Sequence, residues 1–274
     1  MFHSRARRPS RLRTAFDISE VIFHATVRNL RKSHGNAVWG LVMSVIHAGL
    51  ILVVFIAMFD ILGMRRFAIR GDFVLYVMSG VFMFLTHTKA LAAVSSADAP
   101  ASTMMMHAPM NPVVAVTSAA LASLYQQTLA AAVLLLIYHS VFTPITIHDV
   151  PGTLGVYLLS WFSGAGIGLI FYAAKPWHPD VVNLLSTLYQ RANMVASGKM
   201  FVANMAPVSL RALFDWNPLY HTIDQARGYI FLNYHPRFTS LSYPVYCALV
   251  CILIGLMGQF FTRKYASLSW GRRR

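Results

Sequence analysis

The chain has 274 residues, of which 57% are hydrophobic and 12% charged, where water-soluble domains carry about a quarter charged. That balance, with a positive mean hydropathy, excludes an ordinary soluble enzyme and points to an integral membrane protein. The formal net charge of +14 does not point to nucleic acid, because the basic residues collect at the two ends.

Arg5, Arg7, Arg8, Arg11, Arg13, Arg28, Arg31 and Lys32 precede the first long apolar run, and Arg263, Lys264, Arg272, Arg273 and Arg274 follow the last. The positive-inside rule then places both termini in the cytoplasm. Arg65, Arg66 and Arg70 in the first outside loop oppose that orientation and are outweighed. No short apolar core with a small-residue cleavage site opens the chain, so the N-terminus is expected to be retained.

Thr14 followed by Asp17 reads as a capping box. Phe16, Phe23, Val27 and Leu30 then recur at helical spacing, while Glu20, His24, Arg28 and Lys32 line another face. Such a helix lies along the membrane surface, its basic face on anionic headgroups and its apolar face in the acyl boundary.

Apolar runs cover Ala37 to Leu62, Phe73 to Val94, Val113 to Val141, Gly152 to Ala174, Val181 to Met205 and Leu241 to Phe261. Each exceeds the ~20 residues that cross a bilayer as a helix, which predicts six spans. The expected divisions are a basic tail with an amphipathic helix over 1–36, a six-span domain over 37–261 and a basic tail over 262–274.

Between the second and third runs lies SADAPASTMMMHAPMNP, Ser96 to Pro112. With both termini inside, this loop is cytoplasmic and exposes Met104, Met105 and Met106. Unbranched thioethers fill irregular sockets, so these residues suit docking to another protein. In the fourth run Gly164 and Gly168 form a small-xxx-small spacing, read as packing. In the fifth, Asn183, Thr187, Gln190, Arg191 and Ser197 recur near three- or four-residue spacing, opposite Leu184, Leu188, Ala192 and Val195. An ionisable side chain at membrane depth costs about 2.5 kcal/mol or more, so Arg191 and Lys199 are expected to face a partner, a watery path or an interface. Cys247 and Cys251 lie four apart in the sixth run and read as small buried thiols.

The stretch FDWNPLYHTIDQARGYI, Phe214 to Ile230, places a polar cluster between two apolar segments. Asn217 before Pro218 is a helix start, and Gly228 is placed to stop the helix. About ten residues give roughly 15 Å, too short to cross, so the helix re-enters or lies at the surface. His221, Asp224 and Arg227 fall at spacings that let them interact.

The run from Ser197-Gly198 through Pro207, Arg211, WNPLYHTIDQAR and Tyr234 to Tyr243 resembles the ABC type 2 permease family, in the branch of inner-membrane subunits that export capsular polysaccharide. The matching positions are Ser197, Gly198, Pro207, Trp216, Asn217, Pro218, Leu219, His221, Asp224 and Arg227. Asp224 stands where the family often has Glu, and the methionine-rich loop departs further. The resemblance implies an all-α membrane protein of the bacterial inner (cytoplasmic) membrane. Its six transmembrane helices would be joined by an N-terminal interface helix, a cytoplasmic coupling helix and short periplasmic re-entrant helices between spans five and six.

It also implies a homodimer with two ABC ATPase subunits, exporting a lipid-linked glycan towards periplasmic and outer-membrane export proteins, with no nucleic acid involved. Contacts to the ATPase would come from Glu20 and Arg28 and from Met104, Met105, Met106 and His107. The substrate path would be lined by Tyr189, Gln190, Arg191, Ser197 and Lys199. Trp216, Asn217, Pro218, His221, Asp224 and Arg227 would form the periplasmic gate.

The chain holds no G-x-x-x-x-G-K-[ST] run, so ATP and Mg are expected on the partner ATPase and no cofactor or metal on this chain. An intramembrane enzyme is disfavoured because Glu20 is the one glutamate and no H-E-x-x-H occurs. His47, His87 and His139 read as packing residues. A proton-coupled transporter is disfavoured by the scarcity of buried carboxylates. The alternatives left open are a type 2 permease for O-antigen, a teichoic-type polymer, a lipid or a drug, and an ATP-independent channel.

Overall fold

The computed structural model describes residues 11–32, 37–63, 69, 71–97 and 111–271. All regular structure among them is helical: α1 (Arg11–Lys32), α2 (Ala37–Ile61), α3 (Phe73–Ser95), α4 (Pro112–Val141), α5 (Val150–Ala174), α6 (Pro179–Ala196), a 3-10 turn (Ala203–Met205), α7 (Val208–Phe214), α8 (Pro218–Ile230) and α9 (Ser242–Gly271). Met104, Met105, Met106 and His107, with the expected coupling helix, lie outside the described residues.

Helix starts follow from local chemistry. Asp72 accepts from the Val74 and Leu75 amides, Asn111 from Val113, Asp149 from Gly152 and Asn217 from Leu219. A short polar side chain thus satisfies amides that no helical carbonyl can reach. In α4, α5 and α8 a proline in the first two positions adds a pre-set φ. Two predicted boundaries shift. α1 is already helical at Arg11, so Thr14 is not its cap. α8 runs to Ile230, through Gly228, because packing of Ile223, Ala226 and Ile230 in the core outweighs the ~1 kcal/mol cost of a helical glycine.

Among the described residues five helices are long and apolar enough to cross a membrane: Val38–Ile61, Phe73–Ser95, Pro112–Val141, Val150–Ala174 and Ser242–Thr262. The run expected over Val181 to Met205 is not one helix. α6 ends at Ala196 after 18 residues, about 27 Å, and Gly198 at φ +70° turns the chain. At the other boundary, α9 continues as helix to Gly271, into the expected tail.

α3 is the axis of the bundle. Its apolar window is 83% buried, against 17% in those of α2 and α9, and it packs on α2, α4, α5, α6 and α8. α5 presses closest. A Cβ on Gly164 would stand 2.2 Å from the His87 carbonyl oxygen, and one on Gly168 would stand 2.7 Å from that of Leu91, so these two positions let the backbones touch. α9 covers the other side of α5, and α1 lies against α4 and α2.

α8 runs back along α5. Thr222 accepts from Ser160 (2.9 Å), ten residues and about 15 Å into α5, while the Ile230 and Tyr229 carbonyls accept from His148 and Asp149 at its start. A helix too short to cross is thereby sunk into the bundle.

Candidate functional site

Arg227 has no exposed surface. Its Nη1 donates to the carbonyls of Gly198 (3.0 Å) and Phe201 (2.6 Å), and its Nη2 to that of Lys199 (2.7 Å). The guanidinium carbon lies 4.1 Å from the centre of the Tyr76 ring. Three carbonyl dipoles and a π-face replace the water that the charge has lost. Glycines make the approach possible: a Cβ on Gly80 would stand 3.1 Å from Nη2, and one on Gly198 would stand 2.5 Å from Tyr220.

One turn earlier on α8, Asp224 Oδ1 accepts from Tyr234 Oη (2.6 Å) and the Ala203 amide (3.1 Å), and Oδ2 accepts from Thr239 Oγ1 (2.8 Å). Burial, then the charge of Asp224, pushes the Tyr234 phenol far above its ordinary range, which keeps it a donor to that carboxylate. Asn217 caps α8 with its oxygen, and its Nδ2 donates to Asn193 Oδ1 (2.8 Å) and the Ala196 carbonyl (2.9 Å) on α6. His221 Nδ1 accepts from the Ser240 amide (3.1 Å), so the proton sits on Nε2, which donates to the Asp215 carbonyl (2.6 Å).

α8 is therefore a clasp. Asp224 and Arg227 hold the loop after α6, Asn217 holds the end of α6, and Asp224 and His221 hold the loop before α9. The expected interaction among His221, Asp224 and Arg227 is replaced by attachments to the two flanking loops, Arg227 to the one after α6, His221 to the one before α9 and Asp224 to both. Pro218 is buried within α8, and Trp216 is exposed, its carbonyl accepting from Tyr243 Oη (2.6 Å).

The residues expected along a substrate path do not share one surface. Arg191 is exposed. Gln190 bonds back to Ser186 on its own helix. Tyr189 turns inward to His87 Nε2 (3.2 Å), and His87 Nδ1 meets the Ser160 carbonyl and Ser163 Oγ, a junction of α3, α5 and α6. The Ser197 hydroxyl is buried without a hydrogen-bond partner. Lys199 is 2% exposed, its ammonium donating to the Met194 carbonyl (2.7 Å) and lying 3.6 Å from the Phe84 ring centre and 4.9 Å from that of Phe55. A carbonyl and two rings thus surround the Lys199 ammonium inside the fold.

On α1, Glu20 and His24 pair at 3.7 Å on the surface, and Arg28 borders a cleft with Lys89 and Gln126. Sequence reasoning missed Tyr76, Gly80, Asn193 and Thr239 as parts of the clasp, since none stands out from its apolar or loop surroundings. Among the described residues no group of three or more His, Cys, Asp or Glu side chains could hold a metal ion. Compared with known proteins, the chain matches no family model and no curated relative.

Proposed function

We propose that this chain is the membrane-spanning subunit of an ATP-driven exporter, a type 2 ABC permease that works as a homodimer with two ATPase subunits and moves a lipid-linked polysaccharide, of capsular type, out of the cytoplasm. The observation that carries the reading is the clasp: the residues of the family-like run WNPLYHTIDQAR are the ones that tie a short, sunken helix to the end of α6 and to the approach to α9.

In this reading α6 makes the sixth crossing, completed by α7 and α8 as re-entrant helices on the periplasmic side, and both termini are cytoplasmic. α1 is the interface helix, and the loop carrying Met104, Met105, Met106 and His107 receives the push of the closing ATPases. α2 and α6 of the two protomers then change separation to admit the polymer. Their exposed side chains support that role: Val53 and Val54 on α2, and Leu184, Leu188 and Val195 on α6, form apolar faces that a second copy would cover. Arg191, exposed on α6, would there face the path or the partner and avoid hydrocarbon. Because Asn217 is bonded to the end of α6, a shift of α6 moves the short helices with it.

Affinity purification from native membranes tests the reading. An ATPase subunit is expected to accompany the chain, ATP hydrolysis to appear only in the complex, and replacement of Met104, Met105 and Met106 by Asp to detach the ATPase without blocking insertion. Movement of sugar polymer by the chain alone in proteoliposomes would select the ATP-independent channel instead. An ATPase complex that leaves surface glycan unchanged when deleted would select another cargo.

A further inference from the structure

The attachments of α6 to the rest of the protein are gathered at one end. Of its 18 residues only Val182, Ser186 and Asn193 are buried, on one stripe that Tyr189 shares at helical spacing. Val181, Leu184, Leu185, Leu188 and Val195 are exposed. The residue before the helix, His178, makes no side-chain bond to its first turn, and the Thr187 and Gln190 side chains bond back to their own helix. Among the described residues, no hydrogen bond or ion pair ties 179–188 to another helix. That free half is about 15 Å long at 1.5 Å per residue.

The other half is clamped. Asn217 donates to Asn193 Oδ1 (2.8 Å) and to the Ala196 carbonyl (2.9 Å), and Lys199 donates to the Met194 carbonyl (2.7 Å). Just beyond, Gly198 at φ +70° turns the chain. One bond lies outside the last turn: Tyr189 Oη meets His87 Nε2 at 3.2 Å. A helix fixed at one end and bare at the other moves by pivoting at the fixed end. The Tyr189 bond, one turn from the clamp towards the free half, is then the first to break.

His87 is set to receive that tyrosine. Its Nδ1 faces the Ser160 carbonyl at 3.2 Å, and a carbonyl only accepts, so Nδ1 carries the ring proton and Nε2 accepts from the phenol. The Tyr189 ring lies 6.1 Å from the imidazole on α3 and 6.3 Å from the Phe171 ring on α5. His87 has no exposed surface, so no water replaces the hydroxyl when it leaves, and a buried acceptor is left unpaired.

We propose that the Tyr189–His87 bond is a latch that positions α6. Closed, it holds the free half of α6 against α3 and α5; released, that half swings out about the end clamped by Asn217 and Lys199. Tyr189 and His87 are positioning residues that act through the helix. The proposal rests on the transport reading only for what the swing admits, since the swing itself needs neither ATPase nor cargo.

Labelling of single cysteines with a water-soluble maleimide tests it, in the full chain in nanodiscs with Cys247→Ala and Cys251→Ala as background. Val182→Cys, three residues into the free end on the buried stripe, should label slowly. Adding Tyr189→Phe, which keeps the ring and removes the hydroxyl, should speed that labelling about fivefold, the weight of one hydrogen bond. His87→Ala should do the same, and both together should exceed neither alone, as for two residues acting through one contact. Ala90→Cys, without exposed surface on α3, should label no faster with Tyr189→Phe. Unchanged labelling of Val182→Cys in Tyr189→Phe, additive effects of the two variants, or equal acceleration at Ala90→Cys would overturn the latch, the last by showing a general loosening. Failure to find an ATPase partner would sink the transport reading and leave these rates as they are.

Discussion

A guanidinium without accessible surface must find its partners inside the fold, and Arg227 takes three carbonyls from one turn of chain, Gly198, Lys199 and Phe201. Arg227→Leu strands the Lys199 and Phe201 carbonyls, that of Gly198 keeping the Phe201 amide; each is worth about 1–3 kcal/mol when left unpaired, so thermal unfolding in detergent should show at least about 2 kcal/mol of lost stability. Arg227→Lys keeps the charge and loses the fork, and should fall between the two. A melting temperature unchanged in the leucine variant would dismiss the clasp. Asp72 offers a pH-dependent counterpart outside the spans. Burial raises its pKa, but hydrogen bonds from Tyr138, Thr143 and the Leu75 and Val74 amides outweigh burial and hold it below its ordinary 3.8. A depressed folded pKa means stabilisation that is complete above the unfolded value and lost as pH falls through the folded one. The wild-type melting temperature should therefore drop below about pH 4, and Asp72→Asn should start lower at neutral pH and fall less steeply in acid. Parallel curves would exclude Asp72 as a source of the acid sensitivity.

Among the elements, contact between α3 and α5 depends on missing side chains. Gly164→Ala puts a methyl into the His87 carbonyl and should cost about 1–3 kcal/mol as overpacking. Gly155→Ala, on the same helix with nothing within 4 Å, should be neutral or stabilising by up to ~1 kcal/mol. Equal melting of the two variants would refute close packing at Gly164. The start of α8 was legible in sequence because Asn217 beside Pro218 acts on its own amides. The end of α8 was not, since Gly228 stops a helix only when the next turn has nothing to bury, and here Ile230 has a core. The unity of the fifth run also failed: composition reads across Ala196 to Met205, whereas Gly198 turns the backbone to bring its carbonyls to Arg227.

For the whole molecule, the number of crossings sets where the ends lie. Five spans put the termini on opposite sides, and a sixth crossing through α6 would put them on the same side, the cytoplasmic one in the proposed reading. Tags at each end should both be protected in sealed right-side-out vesicles, and accessibility of one alone would remove the sixth crossing.

By itself the sequence determined that this is a helical membrane protein, where most helices begin and which short segment carries the polar cluster, because these rest on solvent preference and on contacts within a turn. Only the tertiary structure decided that α3 is the axis, that the expected path residues face different neighbours and that Asp224 and Arg227 bond to loops outside α8 and not to each other. Those outcomes depend on groups far apart in the chain competing for the same buried donors and acceptors, and no local spacing records which of them wins.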